Sequence, residues 1–334
     1  VSGERVGVVG GGFMGGTHAA AWAALGVPVT IFAEDAADAA GVAARTGAAT
    51  AGSLEALIAG ATIVDICTPT DTHAPIALAA AAARRHVICE KPLALSAADG
   101  EAIVAACAAA GVRLFVAHVL RYFPEVAEAK RIVDEGAIGD PAVIRLKRAA
   151  FRPRKPAGHW LFDPARSGGM VLDLMIHDLD FARWIAGDVV SVQCRSAANE
   201  RPELGVEHAL AILRHASGAI SHVTGSWAYA EPAFRTSIEI AGSRGIVAYD
   251  SEEARPISSW LHAAPASGQG AVGIQKSLTR EDPFRDELAD FLGAIREGRE
   301  ARVSAADGLA ALRIGLAAVE AARTGRVVDP AEVA

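Results

Sequence analysis

Apolar and polar positions along this chain follow two periods in turn. Short apolar runs at Arg5 to Val9, Val27 to Ala33, Ile63 to Thr68, His86 to Cys89 and Arg113 to Ala117 predict strands. Between them, Gly15 to Leu25, Ala36 to Thr46, Pro75 to Arg85 and Ala97 to Ala110 carry helical spacing. Strands separated by helices predict a parallel sheet with right-handed crossovers. After about residue 120 the texture changes. A helix over Glu125 to Glu135 ends at Gly136, and longer strands follow at Pro141 to Phe151, Val189 to Ala197, Glu207 to His215, Ala219 to Tyr229, Thr236 to Ala241 and Gly245 to Asp250. Turn pairs Ser217-Gly218 and Gly242-Ser243 predict an antiparallel meander. Two helices, Glu281 to Glu297 and Ala305 to Thr324, close an α+β domain with an open sheet. The Gly/Ala/Ser-rich stretch Ala263 to Gly273 reads as a mobile surface loop. The domains are therefore expected at 1–120 and 121–334.

One apolar segment breaks its own pattern. Gly168 to Asp180 reads as a single oily helix, yet it carries Asp173, His177 and Asp180. At about 100° per residue these three share one narrow face. Burying such a stripe is costly unless its members pair. An acid and an imidazole one turn apart can fix a tautomer and move a proton, or can simply order the core.

Composition narrows the classes. The 334 residues are 51% hydrophobic and 21% charged, with a formal charge of −7. A large core is affordable, and a nucleic-acid surface is disfavoured. The basic runs Arg145 to Arg148 and Arg152 to Lys155 read as solvated faces or a rim for an anion. No apolar stretch suits a membrane span, and Val1 to Arg5 lack a secretion pattern. Cys67, Cys89, Cys107 and Cys194 have no metal or redox spacing, so reduced buried thiols and a cytoplasmic protein without a metal are expected.

The chemistry sits at strand ends. Gly10-Gly-Gly12-Phe13-Met14-Gly15 matches G-x-G-x-x-G between a strand and a helix, which predicts a dinucleotide pyrophosphate at the helix N-terminus. Glu34 and Asp35 end the second strand, where an acid holds ribose hydroxyls; Glu34 is the first choice and Asp35 its one-residue alternative. Two acids without a neighbouring arginine favour NAD over NADP. Thr68-Pro69-Thr70 and His73 follow the third strand and should border the cofactor, although His73 could equally be a helix-start residue without a ligand. Glu90-Lys91 follows the fourth strand. Lys91 there could exchange a proton with a substrate hydroxyl, or form a surface pair with Glu90.

With the glycine motif, Glu90-Lys91-Pro92 and the Gly168-Gly169 to Asp173, His177 and Asp180 segment in this order, the chain resembles the Gfo/Idh/MocA oxidoreductases. Val116 to Pro124 and Glu135 to Pro141 look like that family's entry to a second domain. The resemblance implies an α/β protein. It has an N-terminal Rossmann domain with a parallel sheet, then a C-terminal α+β domain with a large, mainly antiparallel open sheet. It implies dimers or tetramers through that sheet, a Lys-Pro bond that is often cis, and proton chemistry at Lys91, Asp173 and His177. The helix motif looks most like the inositol dehydrogenase branch. Ala33 stands where the family's ribose aspartate usually lies.

These readings combine into an NAD-dependent dehydrogenase acting on a secondary hydroxyl of a cyclic polyol or sugar. His177 is the base, Lys91 stabilises the oxygen and Asp173 orients His177, with the first two able to exchange roles. Asp180 either binds a hydroxyl or supports the helix. His118, Arg121, Arg152, His159, Trp160, Tyr229 and Arg235 are candidates to read other hydroxyls; Trp160 could be core and Arg235 a surface charge. An NAD-assisted hydrolase or lyase, and a non-catalytic NAD sensor, are the rivals.

Overall fold

The structure is a computed structural model that describes residues 3–200, 206–252 and 282–333. The loop expected at Ala263 to Gly273 lies outside them. The chain divides into two compact units, Val1–Pro124 with Thr279–Leu312 and Glu125–Leu278 with Arg313–Val333. The expected boundary at residue 120 gave Thr279–Leu312 to the second domain; it joins the first unit instead.

The first unit is a doubly wound sheet. Strands β1 (Val6–Val9), β2 (Val29–Phe32), β3 (Ala49–Thr50), β4 (Ile63–Ile66), β5 (His86–Glu90) and β6 (Leu114–Ala117) run in the order β3-β2-β1-β4-β5-β6. Every pairing is parallel. Helices α1 (Phe13–Ala24), α2 (Ala36–Thr46), α3 (Leu54–Gly60), α4 (His73–Ala82) and α5 (Ala97–Ala110) connect them. Local chemistry sets their ends: Asp35, Ser53 and Ser96 cap α2, α3 and α5, and Gly47 and Gly111 end α2 and α5 in left-handed turns. The core joins Val8, Trp22, Ile31, Ile63, Ile88 and Phe115 to Leu288, Phe291 and Leu292. Phe291 stacks on Phe115 at 4.8 Å and meets Tyr122 edge-on at 6.2 Å.

In the second unit α6 (Pro124–Asp134) precedes β7 (Pro141–Phe151), followed by α7 (Pro164–Ser167), α8 (Gly169–Asp173) and α9 (Ile176–Ala186). Then come β8 (Val189–Ser196), α10 (Ala197–Glu200), β9 (His208–His215), β10 (Ile220–Tyr229), β11 (Phe234–Gly242) and β12 (Ile246–Asp250). The last two helices are α11 (Pro283–Glu297), whose core residues are those of the first unit, and α12 (Ala305–Thr324). The sheet order is β12-β11-β7-β10-β9-β8. Pairs β9–β10 and β11–β12 are antiparallel as the turns predict, and β8 pairs antiparallel with β9, but β7 inserts between β10 and β11 and pairs parallel with β10.

On β7, Ile144, Leu146 and Arg148 share the face that packs against α9, and Arg145 and Lys147 share the other. Gly225 lets the helices approach β10, since a Cβ there would lie 2.1 Å from Cγ of Met175.

Candidate active site

The strand order reverses between β1 and β4, and the loops after β1, β2, β4 and β5 all leave the same sheet edge. Gly10 has φ +118°, and a Cβ on it would lie 2.5 Å from the carbonyl oxygen of Cys67. A Cβ on Gly15 would lie 1.8 Å from that of Gly10. Gly12 caps α1 with no side chain to satisfy the first amides, no acid occupies the first turn, and a Cβ there would meet nothing within 4 Å. Open space beside unclaimed helix amides fits the pyrophosphate of a dinucleotide. Phe13 is exposed at this turn and Met14 packs against the core.

Two sequence-predicted cofactor residues have other work. Oδ1 of Asp35 accepts the Ala37 amide at 2.8 Å, so Asp35 serves as the N-cap of α2. Glu34, exposed just before it, has no capping duty. His73 is buried, with Nδ1 2.9 Å from the Pro92 carbonyl and Nε2 3.0 Å from that of Thr68. It ties the β4 loop to the β5 loop rather than offering a free ring to a ligand. Burial lowers its pKa, so the neutral ring donates to one carbonyl at a time. Thr72 Oγ1 secures the same loop, 2.7 Å from both Thr68 Oγ1 and the Pro69 carbonyl, with Thr70 buried beside them.

Glu90 ends β5 with its carboxylate turned inward, where Oε2 accepts the Lys91 amide at 3.1 Å. Lys91 is half-buried, and its bond to Pro92 is cis, as the resemblance implies. His118 is fully buried at the end of β6. Arg121 is also buried, donating to the Arg302 carbonyl at 3.1 Å and lying 3.4 Å from Asp307. Arg121 braces the first unit internally, which corrects its reading as a substrate ligand.

In the second unit the motif helix is not continuous. Helix α8 ends at Asp173 and α9 begins at Ile176; the amides of Leu174 and Met175 share the Met170 carbonyl, at 2.9 and 3.3 Å. The i→i−5 contact is a local π-type widening of the kind found at functional sites. Asp173 and His177 are half-buried on either side of this break, while Asp180 is fully buried. Arg148 anchors the start of α9 through a buried two-pronged pair to Asp178, at 2.7 and 3.2 Å. The basic run therefore splits: Arg145 is exposed and pairs with Glu239, but Arg148 faces the core.

Around Asp173 the structure adds a residue that the sequence did not single out. Glu207 pairs with Arg152 at 3.1 Å, and the Arg152 guanidinium lies 3.9 Å over the Phe162 ring. Burial, helped by the charge of Asp173, outweighs that arginine and lifts the Glu207 carboxyl above its usual range. His159 Nδ1 accepts the Leu161 amide at 3.2 Å, with Trp160 tilted against it at 5.7 Å. Burial and the cations Lys155 and Arg166 lower the pKa of His159. Tyr229 lies between Lys147 and Arg235, at 5.4 and 5.5 Å from its ring. Lys147 is on the sheet face opposite Arg148, so Tyr229 points away from α9. Arg235, paired with Glu252 at 2.9 Å, is a surface charge.

Among the described residues no helix is long and apolar enough to cross a membrane. Residues 4–118 match the oxidoreductase family model with an NAD-binding Rossmann fold, and residues 126–248 match the GFO/IDH/MocA C-terminal domain. The myo-inositol 2-dehydrogenase of Thermotoga maritima is 32% identical over 274 residues, 80% of this chain and 79% of that protein. The inositol 2-dehydrogenase of Rhizobium meliloti is 31% identical over 335 residues, 97% of this chain and 98% of that one. A levoglucosan dehydrogenase structure, in complex with NADH and L-sorbose, superposes with a TM-score of 0.81 at 28% identity over 98% of both chains. This chain belongs to the Gfo/Idh/MocA oxidoreductases, and its first unit is their NAD-binding Rossmann fold.

Proposed function

We propose that this chain is an NAD-dependent dehydrogenase that oxidises a secondary hydroxyl of a cyclic polyol or sugar to a ketone or lactone, with an inositol as the first substrate to try. One observation carries the reading. The lysine after β5 and the Asp–His pair at the α8–α9 break occur together in a chain similar to an inositol 2-dehydrogenase over 97% of its length.

Gly10, Gly12, Phe13, Met14, Gly15, Thr68 and Pro69 would hold the dinucleotide, and Glu34 its ribose hydroxyls. The cofactor, when bound, accepts the hydride. His177 takes the hydroxyl proton on a ring nitrogen, and Asp173 orients that ring and stabilises the imidazolium. Lys91 donates from Nζ to the same oxygen and stabilises its developing negative charge. Arg152, with Glu207 beside it, and His159 with Trp160 supply donors and acceptors for the remaining hydroxyls. The exposed Leu210, Ile212, Ile220 and Ile246 favour a homodimer or homotetramer through the second sheet. Four buried free cysteines fit the cytoplasm.

Lys91→Ala and His177→Ala test the assignment. Each should lower turnover by ~10²-fold or more while leaving NAD⁺ affinity near wild type. Unchanged turnover in both variants would contradict it.

A further inference from the structure

Beneath the nucleotide turn lies a buried polar cluster that the proposed chemistry does not use. His18 sits on α1 with its ring fully buried, and each nitrogen faces a carboxylate. Nδ1 is 3.1 and 3.0 Å from the two oxygens of Asp65 on β4. Nε2 is 3.1 Å from Oε1 of Glu90 at the end of β5, in a short ion-pair contact whose alignment is too poor for a hydrogen bond. Asp65 is further held by Trp22 Nε1–H at 2.7 Å and by the Cys67 thiol at 3.6 Å. The other oxygen of Glu90 accepts the amide of Lys91.

A neutral imidazole has one N–H and one lone pair. It can serve only one of these two carboxylates, and its lone pair would then oppose the other at 3.1 Å. A proton on each nitrogen makes both contacts attractive and offsets one of two buried negative charges. From α11, Glu287 is fully buried with neither oxygen hydrogen-bonded, and the Phe284 ring lies 6.5 Å from that of His18. Burial pushes the Glu287 carboxyl well above its usual range against the pull of His18, and pushes the Cys67 thiol up as well.

We infer that His18 is a doubly protonated imidazolium that bridges Asp65 and Glu90 and thereby positions Lys91, linking the helix of the nucleotide turn to the catalytic lysine. His18 is thus a positioning residue, acting through Glu90. The kinetic consequence rests on Lys91 being catalytic; the protonation state does not. The ligand atoms of His18, Asp65 and Cys67 also lie within 4.8 Å of one another, so a metal ion is the rival occupant.

The primary test is ¹⁵N-histidine NMR on the full chain with metal analysis of the same sample. The inference expects one histidine with protons on both ring nitrogens well above pH ~6.5, the ordinary histidine value, and no stoichiometric metal. Glu90→Gln, which keeps an acceptor for the Lys91 amide, should remove one of those ring protons. A single ring N–H in the wild-type protein, or one bound metal per chain, overturns the inference.

Kinetics give the second arm. His18→Gln should lower kcat by about tenfold or more with a smaller change in the KM for NAD⁺. Adding Glu90→Gln to that variant removes the carboxylate repulsion and should restore part of the lost kcat; a double variant no better than the single counts against the bridge. Lys91→Ala measured alongside separates the two ideas. If it keeps full turnover, the catalytic assignment of Lys91 falls, while the NMR result still decides the state of His18.

Discussion

Gly12 and Gly15 lie three residues apart in one turn, yet their substitution by alanine should separate folding from cofactor binding. A Cβ on Gly15 would sit 1.8 Å from the Gly10 carbonyl oxygen. Carbon–oxygen contacts settle near 3.3 Å or beyond, so the backbone must move by about 1.5 Å. The obstructing atom is main chain and cannot rotate away. Gly10 is itself held by the hydrogen bond its N–H donates to the Phe32 carbonyl at 2.8 Å and by its close approach to Cys67. Overpacking costs ~1–3 kcal/mol, and a backbone clash belongs at the upper end. Gly15→Ala should therefore lower the unfolding free energy by roughly 2–3 kcal/mol. It should also weaken NAD⁺ binding by ~10²-fold, the equivalent of about 3 kcal/mol. Gly12→Ala should behave differently. Gly12 has φ −75° and ψ −164°, which alanine adopts freely, and its Cβ would meet nothing within 4 Å. Stability without ligand should stay within ~0.5 kcal/mol or rise slightly. Binding should still weaken by tenfold or more, because the methyl group fills the space assigned to the pyrophosphate. Urea unfolding without ligand and calorimetric titration with NAD⁺ measure the two effects. Wild-type NAD⁺ affinity in Gly12→Ala would refute this placement of the phosphates.

Two further predictions concern buried charge. Arg148→Met strands Asp178 beneath α9 and should cost roughly 3–5 kcal/mol, most of it recovered when Asp178→Leu is added; denaturant curves decide, and a single variant within 1 kcal/mol of wild type refutes the anchoring role. His18 and Glu287 both have folded pKa values raised above their usual ones: for His18 burial is the largest single influence and lowers the value, but the charge and hydrogen bonding of Asp65 together with Cys67 outweigh it, and for Glu287 burial dominates. Each then stabilises the fold fully below its unfolded pKa, and that contribution is lost as pH rises through the folded value. Stability should therefore begin to fall as pH rises above ~4.3 through Glu287 and above ~6.5 through His18, at up to about 1.4 kcal/mol per pH unit per group. Glu287→Gln should fall less steeply than wild type, and parallel curves would contradict a protonated Glu287.

What the sequence revealed depended on how local the cause was. Helices Ala36–Thr46 and Ala97–Ala110 were legible because an Asp or Ser cap and a terminal glycine bracket each apolar period. Strand Pro141–Phe151 was legible from alternation, but alternation does not say which strand pairs with which. The insertion of β7 beside β10 arises from contacts some 80 residues apart in sequence, and so does not register in a local window. The return of α11 to the first core has the same origin. The narrow stripe of Asp173, His177 and Asp180 assumed an unbroken helix, whereas the break at Leu174 and Met175 leaves two of the three half-buried and the third in the core.

Charged residues in apolar phases were the missed signal. Arg148 falls in step with Ile144 and Leu146, Asp65 interrupts the strand Ile63–Ile66, and His18 lies among alanines. Each is buried and paired. Arg121 shows the reverse case, since a polar tip near a loop says nothing about how deeply it is buried.

The most direct test of the central claim is NADH absorbance when the protein is mixed with NAD⁺ and a panel of inositols and aldoses, with NADP⁺ in parallel. The account predicts that NADH accumulates with a cyclic polyol or sugar, and that NAD⁺ is preferred because Glu34 repels a 2′-phosphate. No accumulation across the panel, in protein that binds NAD⁺, would contradict a net polyol or sugar dehydrogenase.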